Sequence, residues 1–409
     1  VQTVTFTITP IGPSPSYCVG DNVFAQATVN PTPVLTTPLT QTMCTGATTS
    51  VALSTTPTLT NAPTYAWANP VVTGGMTGGS AGSGTTIAQT LVNTTNAAQT
   101  ATYTVTVTAA DGGCTGTGTV VVTVNPKPVI TAALSQTICS GATANIPITL
   151  STDPAGTETF TWAAPDVALP GSAADVTGTG MAASTPGATA ITGVFTNNTN
   201  ADRTVLFQVT PTAAAAIGGC VGAVTEVQVI VRPKPTVAVT PASQAICSGN
   251  PITTIDFTNP NNVAGTTYAW VLTSPASLPA GVTGTGSLAA TSGSGASVTG
   301  TLTNTTAAPV TLTYSVTPTA NTCSGTAATY TITVNPRPTV VAADKAICSG
   351  ADINRSLAVS SSMTIASYIW DEPAAVTGIS GTGMAAGNIP GTGSPAITGT
   401  LINSTNAPL

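Results

Sequence analysis

The chain has 409 residues with 13 acidic and 7 basic side chains, no histidine, and 5% charged residues in all, against about 25% in an ordinary soluble domain. Seven scattered cations can neither neutralise a phosphate backbone nor form a polybasic membrane patch. Without histidine there is no Ser-His or Cys-His dyad and no His-ligated zinc site.

The length corresponds to about two to four domains. Forty glycines and 32 prolines point to many turns and few long helices. The mean hydropathy is positive, but it comes from alanine and valine interleaved with threonine. No apolar run approaches the roughly 20 residues of a spanning helix, and aromatics at 4% are too few for the girdles of a membrane barrel. Val1 opens the sequence without a charged, hydrophobic leader, so any signal peptide is expected to be removed or to lie upstream.

Taken in chain order, the sequence is a tandem array. Residues 1–31 hold Cys18 and lead into Asn30-Pro-Thr-Pro33. Residues 32–126 hold Cys44, Trp67 and Cys114, and residues 127–233 hold Cys139, Trp162 and Cys220. Residues 234–336 hold Cys247, Trp270 and Cys323, and residues 337–409 hold Cys348 and Trp370. Asn125-Pro-Lys-Pro128, Arg232-Pro-Lys-Pro235 and Asn335-Pro-Arg-Pro338 mark the later boundaries. By phase, Cys18 is the second cysteine of a repeat whose first part is missing, and Cys348 opens a repeat that stops before its second. The expectation is a window on a longer polypeptide. A second reading is a head-to-tail polymer, the tail of one chain completing the head of another by strand addition.

Within each repeat, Tyr103-Thr-Val-Thr-Val-Thr108 and Val120-Val-Val-Thr-Val124, with their counterparts at 205–209 with 226–231 and at 311–316 with 330–334, are β-branched and alternate with period two. Thr64-Tyr-Ala-Trp67 and its equivalents alternate in the same way, and glycine-rich stretches such as 74–84 and 177–180 are turns. About seven short strands per hundred residues predict an all-β, two-sheet sandwich in each repeat.

The even cysteine pattern predicts one disulfide per domain: Cys44–Cys114, Cys139–Cys220 and Cys247–Cys323, with Cys18 and Cys348 unpaired by truncation. Pairing across the 25–27-residue gaps, as in Cys18–Cys44, is the competing registry. It is awkward because each gap holds a strand and then a stiff proline linker. Such bridges require an oxidising compartment, so the expected location is extracellular or cell-surface. Trp67, Trp162, Trp270 and Trp370 are read as the central mass of each core, the alternative being a sugar-stacking platform. The Pro-x-Pro linkers fix φ, end a strand and give a semi-rigid connection, so the array is expected to be extended. Asn93, Asn197, Asn304 and Asn403 each open an Asn-x-Thr sequence, read either as a glycosylation acceptor or as an Asn/Thr turn between strands.

No catalytic, metal or cofactor constellation emerges. Acidic residues do not recur with the repeat, Asp371-Glu372 is an isolated pair, and no Asp-x-Asp-x-Asp run exists for calcium. Lys127 and Lys234 fall in linkers, which argues against core isopeptide bonds.

The unit of Ile-Cys-Ser-Gly (138–141, 246–249, 347–350), Tyr/Phe-x-Trp, Val-Thr-Gly-x-Gly, Asn-x-Thr and Asn-Pro-Lys/Arg-Pro resembles the PKD-like, immunoglobulin-like repeats of giant surface proteins of Bacteroidota. Those include adhesins moved along the cell in gliding motility and exported by the type IX system. The chain departs from ordinary PKD domains in lacking Asp-Phe-Gly-Asp after the tryptophan. The resemblance implies an array of immunoglobulin-like sandwiches forming a stalk or filament of a surface adhesin, without enzymatic activity. Its expected partners are neighbouring repeats, other copies of the chain laterally or head to tail, and surface glycans or a substratum through other regions. The alternatives are a filament or sheath subunit and a carbohydrate-binding array attached to a secreted enzyme. Trp→Phe-sensitive glycan binding marks the latter.

Overall fold

The computed structural model describes residues 1–409 except 37–38, 57, 60, 132–133, 155–157, 360–364, 393–394, 406 and 409. Among the described residues the regular structure is strand, with four short 3-10 turns and no α-helix. None of it is a helix long and apolar enough to cross a membrane. The chain divides into two compact units, residues 1–198 with 203–231, and residues 199–202 with 232–409.

The first unit contains two full modules. In module 1 a long closing hairpin, Gln99–Thr108 with Thr115–Asn125, forms the centre of the larger sheet. A leading strand, Leu39–Cys44, lies parallel to the second hairpin strand, and the tryptophan strand, Thr64–Trp67, lies antiparallel to the first. In module 2 the same order runs through Ser135–Cys139, Thr225–Arg232, Arg203–Thr212 and Thr159–Thr161. Its facing sheet is built from Ala142–Pro147, Ala190–Asn197 and Val176–Thr177. Ahead of module 1, Gln2–Ile8 and Val23–Val29 form a two-stranded hairpin.

The second unit contains module 3, ordered Ser243–Cys247, Ala328–Asn335, Val310–Ala320, Thr267–Ser274 and Ser292–Ser294, with the first pair parallel. Among the described residues of 337–409 the strands form four short antiparallel pairs, one of them Ser367–Trp370 with Gly387–Pro390.

Each module closes around its own core. Alternation dictates which residues enter it, because neighbouring side chains of a strand point to opposite faces. Ala101, Tyr103, Val105 and Val107 are fully buried from one hairpin strand of module 1, and Val120, Val122 and Val124 from the other. Threonines between them face outward, which accounts for a neutral hydroxyl-rich surface on a chain with so few charges. Module 3 has the most aromatic centre: Tyr314 and Tyr330 stack at 5.0 Å with Phe257 tilted against Tyr330.

Candidate functional site at the module joint

The repeated motifs converge at one pole of each sandwich. After the leading strand, Cys-Thr/Ser-Gly makes a tight turn whose glycine has positive φ: +79° at Gly46 and Gly141, +83° at Gly249 and +84° at Gly350. Only glycine adopts that conformation without strain. The hydroxyl before it accepts the backbone N–H of the recurring asparagine: Thr45 from Asn93 at 2.8 Å, Ser140 from Asn197 at 3.0 Å, Ser248 from Asn304 at 2.8 Å and Ser349 from Asn403 at 2.9 Å.

The asparagine is a buried strut. Asn93 Nδ2 donates to the carbonyls of Ala97 and Val124, and Asn304 Nδ2 to those of Ala308 and Val334, all at 2.8 Å. Asn197 Nδ2 donates to Val231 O at 2.7 Å. Asn93 Oδ1 accepts the N–H and hydroxyl of Thr95, and Asn304 Oδ1 those of Thr306. Asn403 makes the same turn, with Nδ2 on Ala407 O and Oδ1 on Thr405. The geometry favours the turn reading over the glycosylation reading at Asn93, Asn197 and Asn304. The nitrogen that would carry the sugar is buried and committed to main-chain carbonyls.

The disulfide pattern is also corrected. Cys44 is bonded to Cys220, in the next module, with a Cα separation of 5.6 Å. Cys139 and Cys323 are disulfide-bonded as well, whereas Cys18, Cys114, Cys247 and Cys348 are free thiols. Neither Cys44–Cys114 nor Cys139–Cys220 nor Cys247–Cys323 forms, and the modules do not carry one internal bridge each. Cys44 lies opposite Asn125, at one end of the strand Thr115–Asn125, while Cys114 precedes the other end. A strand of that length separates them by roughly 30 Å, against the roughly 4.4–6.8 Å that a disulfide spans between Cα atoms.

Between the poles sits the linker. Pro126 and Pro128 are buried, so the linker between modules 1 and 2 is packed rather than free. The carbonyl of the second proline rests against a glycine two residues past the hairpin cysteine: Pro33 on Gly116, Pro128 on Gly222 and Pro235 on Gly325. At each of these a Cβ would overlap the carbonyl oxygen. The residue opening the linker reaches the hairpin turn too. Asn30 covers Gly112 and Asn125 covers Gly218, while Arg232, in the same position, donates to Asn321 O at 3.1 Å. None of these glycine seats stood out in the sequence. The signal was the recurrence of Cys-x-Gly at Cys114, Cys220 and Cys323.

The tryptophans divide. Trp67 and Trp270 are 7% and 4% exposed and belong to their cores. Trp162 is only half-buried, packed edge-on to Phe207 at 6.2 Å on a cavity of about 350 Å³, and Trp370 is half-buried with its indole N–H donating to Ala385 O at 3.1 Å. Trp162 therefore packs against the module 2 core as a partly buried ring, whereas Trp370 lies outside the three core clusters. The tryptophan strand of module 2 is three residues long and stops before Trp162. Among the described residues no three His, Cys, Asp or Glu side chains gather into a metal-binding group.

Tandem sandwiches of immunoglobulin-like build, with a leading strand parallel to the closing strand and cysteines at their poles, define the class. A PKD-like domain model matches residues 41–128, 136–235 and 244–338. The chain belongs to that family. No curated protein matches it. Among solved structures it is similar to the human desmocollin-1 ectodomain, with 11% identity and a TM-score of 0.26 over 92% of this chain and 74% of that one. It is also similar to mouse cadherin-23 EC22-24, with 13% identity and a TM-score of 0.29 over 75% and 99%. For titin domains I67-I69 the values are 11% identity and a TM-score of 0.33 over 75% and 98%.

Proposed function

We propose that this chain is a non-catalytic stalk segment of a large bacterial surface adhesin, of the Bacteroidota gliding or attachment type, that carries a distal adhesive region away from the cell. The observation that carries the reading is the Cys44–Cys220 bond. A bridge from one module to the next transmits load past the linker and past the fold of both modules, a use that a chain of independent binding domains does not have. Oxidised cysteines fit export to an oxidising compartment, and a surface with few charges fits lateral or end-to-end contact with other copies, since little opposes edge pairing.

Antibodies against the chain should label intact source cells. Labelling only after permeabilisation contradicts the reading. Negative-stain images should show beaded threads whose length grows with module number, whereas ordered multi-chain fibres would favour a filament subunit. Two buried indoles leave little aromatic face for sugar stacking, so glycan arrays should show no binding that depends on Trp67 or Trp270.

A further inference from the structure

The cysteines fall into two positional types. Cys44, Cys139 and Cys247 end a leading strand, and these three and Cys348 precede Thr/Ser-Gly. Cys18, Cys114, Cys220 and Cys323 lie at the turn of a hairpin. The bond between Cys44 and Cys220 joins one of each type across consecutive modules.

Cys114 occupies the same setting as Cys220. Gly112 is pressed against the Asn30 side chain as Gly218 is against Asn125, and Cys114 Sγ lies 4.0 Å from Asn30 O. Cys44 reaches its partner because it pairs opposite Asn125 in parallel register, with Thr45 N donating to Asn125 O at 2.8 Å. Val23–Val29, which leads into Asn30, is paired only with Gln2–Ile8 among the described residues. Its counterpart in module 1, Thr115–Asn125, carries the leading strand Leu39–Cys44 in parallel register. Cys247 is already seated in the other half of the arrangement: it pairs opposite Asn335, Ser248 N donates to Asn335 O at 2.8 Å, and its thiol is exposed.

We propose that Cys114 and Cys247 are complementary half-staples. Cys114 forms a disulfide with the leading-type cysteine of a module of this same kind packed before module 1, and Cys247 with the hairpin-type cysteine of one packed after module 3. With oxidised glutathione as oxidant, the first thiolate attacks the glutathione disulfide and releases one glutathione. The second thiolate then attacks the mixed disulfide and releases the other, so two thiols and one oxidised glutathione give one disulfide and two reduced glutathiones. The inference rests on joint geometry and holds or fails independently of the adhesin role.

The test maps disulfides by mass spectrometry after digestion without reduction. The 409-residue chain, half of it isotopically labelled, is reoxidised in glutathione buffer. The expected cross-links join Cys247 or Cys348 to Cys18 or Cys114, in mixed-label pairs, with Cys44–Cys220 intact, and Cys114→Ser together with Cys18→Ser abolishes them. In native material Cys114 and Cys247 should resist alkylation and carry partners of the complementary type. Equal mass on reducing and non-reducing gels assigns those partners to the same polypeptide, and a larger non-reduced species assigns them to a second copy. Native thiols that alkylate freely, same-type pairs such as Cys247–Cys348, or a Cys44–Cys114 peptide would overturn the proposal.

Discussion

Trp270 and Gly293 face each other across neighbouring antiparallel strands, and a single Cβ on the glycine would overlap the indole at Cζ2. Module 1 repeats the pair in Trp67 and Gly82, where the same Cβ would lie 2.8 Å from Cζ2. The residues at 370 and 387 repeat it again. The large ring covers the gap that glycine leaves in the sheet, and the glycine lets the ring lie flat.

Gly293→Ala therefore overpacks the core and should lower the stability of module 3 by about 1–3 kcal/mol. Trp270→Ala, which opens the same space, should cost about 3–5 kcal/mol. Thermal unfolding of the two variants checks both. A neutral Gly293→Ala would show that the strand pair does not hold the ring.

Asn304→Ala removes two donors from the carbonyls of Ala308 and Val334. Leaving buried acceptors unpaired should destabilise module 3 by about 2–3 kcal/mol. Intact mass of native protein should show no glycan on Asn93, Asn197 or Asn304.

Burial pushes the Tyr314 phenol up to about 12, and burial and the neighbouring Tyr314 also raise Tyr330. Both hydroxyls are without a hydrogen-bond partner among the described residues. A raised acid constant in the folded state means the contribution is complete below the ordinary value near 10 and is lost as pH rises from there through about 12. Melting temperature should fall across that window, and the variant Tyr314→Phe with Tyr330→Phe should flatten the fall. An unchanged alkaline profile in that variant would contradict the assignment.

Gly222→Val places a side chain against the Pro128 carbonyl at the joint. An overlap relieved by shifting the hairpin should strain the neighbouring bridge rather than the core. Reduction of Cys44–Cys220 by dithiothreitol is expected to speed up by about tenfold for each 1.4 kcal/mol of strain, with module melting little changed. Equal reduction rates would separate the linker seat from the bridge.

Much of this architecture was legible in the sequence. Alternation in Tyr103–Thr108 and Val120–Val124 placed the closing hairpin, and the cysteine, tryptophan and proline periods marked the three repeats that the family model matches. The disulfide connectivity was not legible, because spacing along a chain does not say which pole of a sandwich a residue reaches. Cys44 and Cys114 belong to one repeat yet to opposite ends of one strand. The seats of Pro128 on Gly222 and of Trp270 on Gly293 were hidden for a related reason. Glycine was read as a turn former, whereas here it sits within or beside strands to admit a neighbour. The partial exposure of Trp162 was not legible, because the motif is the same in every repeat while the strand that carries it is shorter in module 2.

Force–extension of single chains held at their two ends tests the covalent module joint most directly. The Cys44–Cys220 bond shields a segment with a sequence separation of 176, so full unfolding in the presence of reductant should gain at least roughly 600 Å of contour length over the oxidised chain. No dependence on reductant, or a gain matching only the 70-residue interval between Cys44 and Cys114, would contradict it.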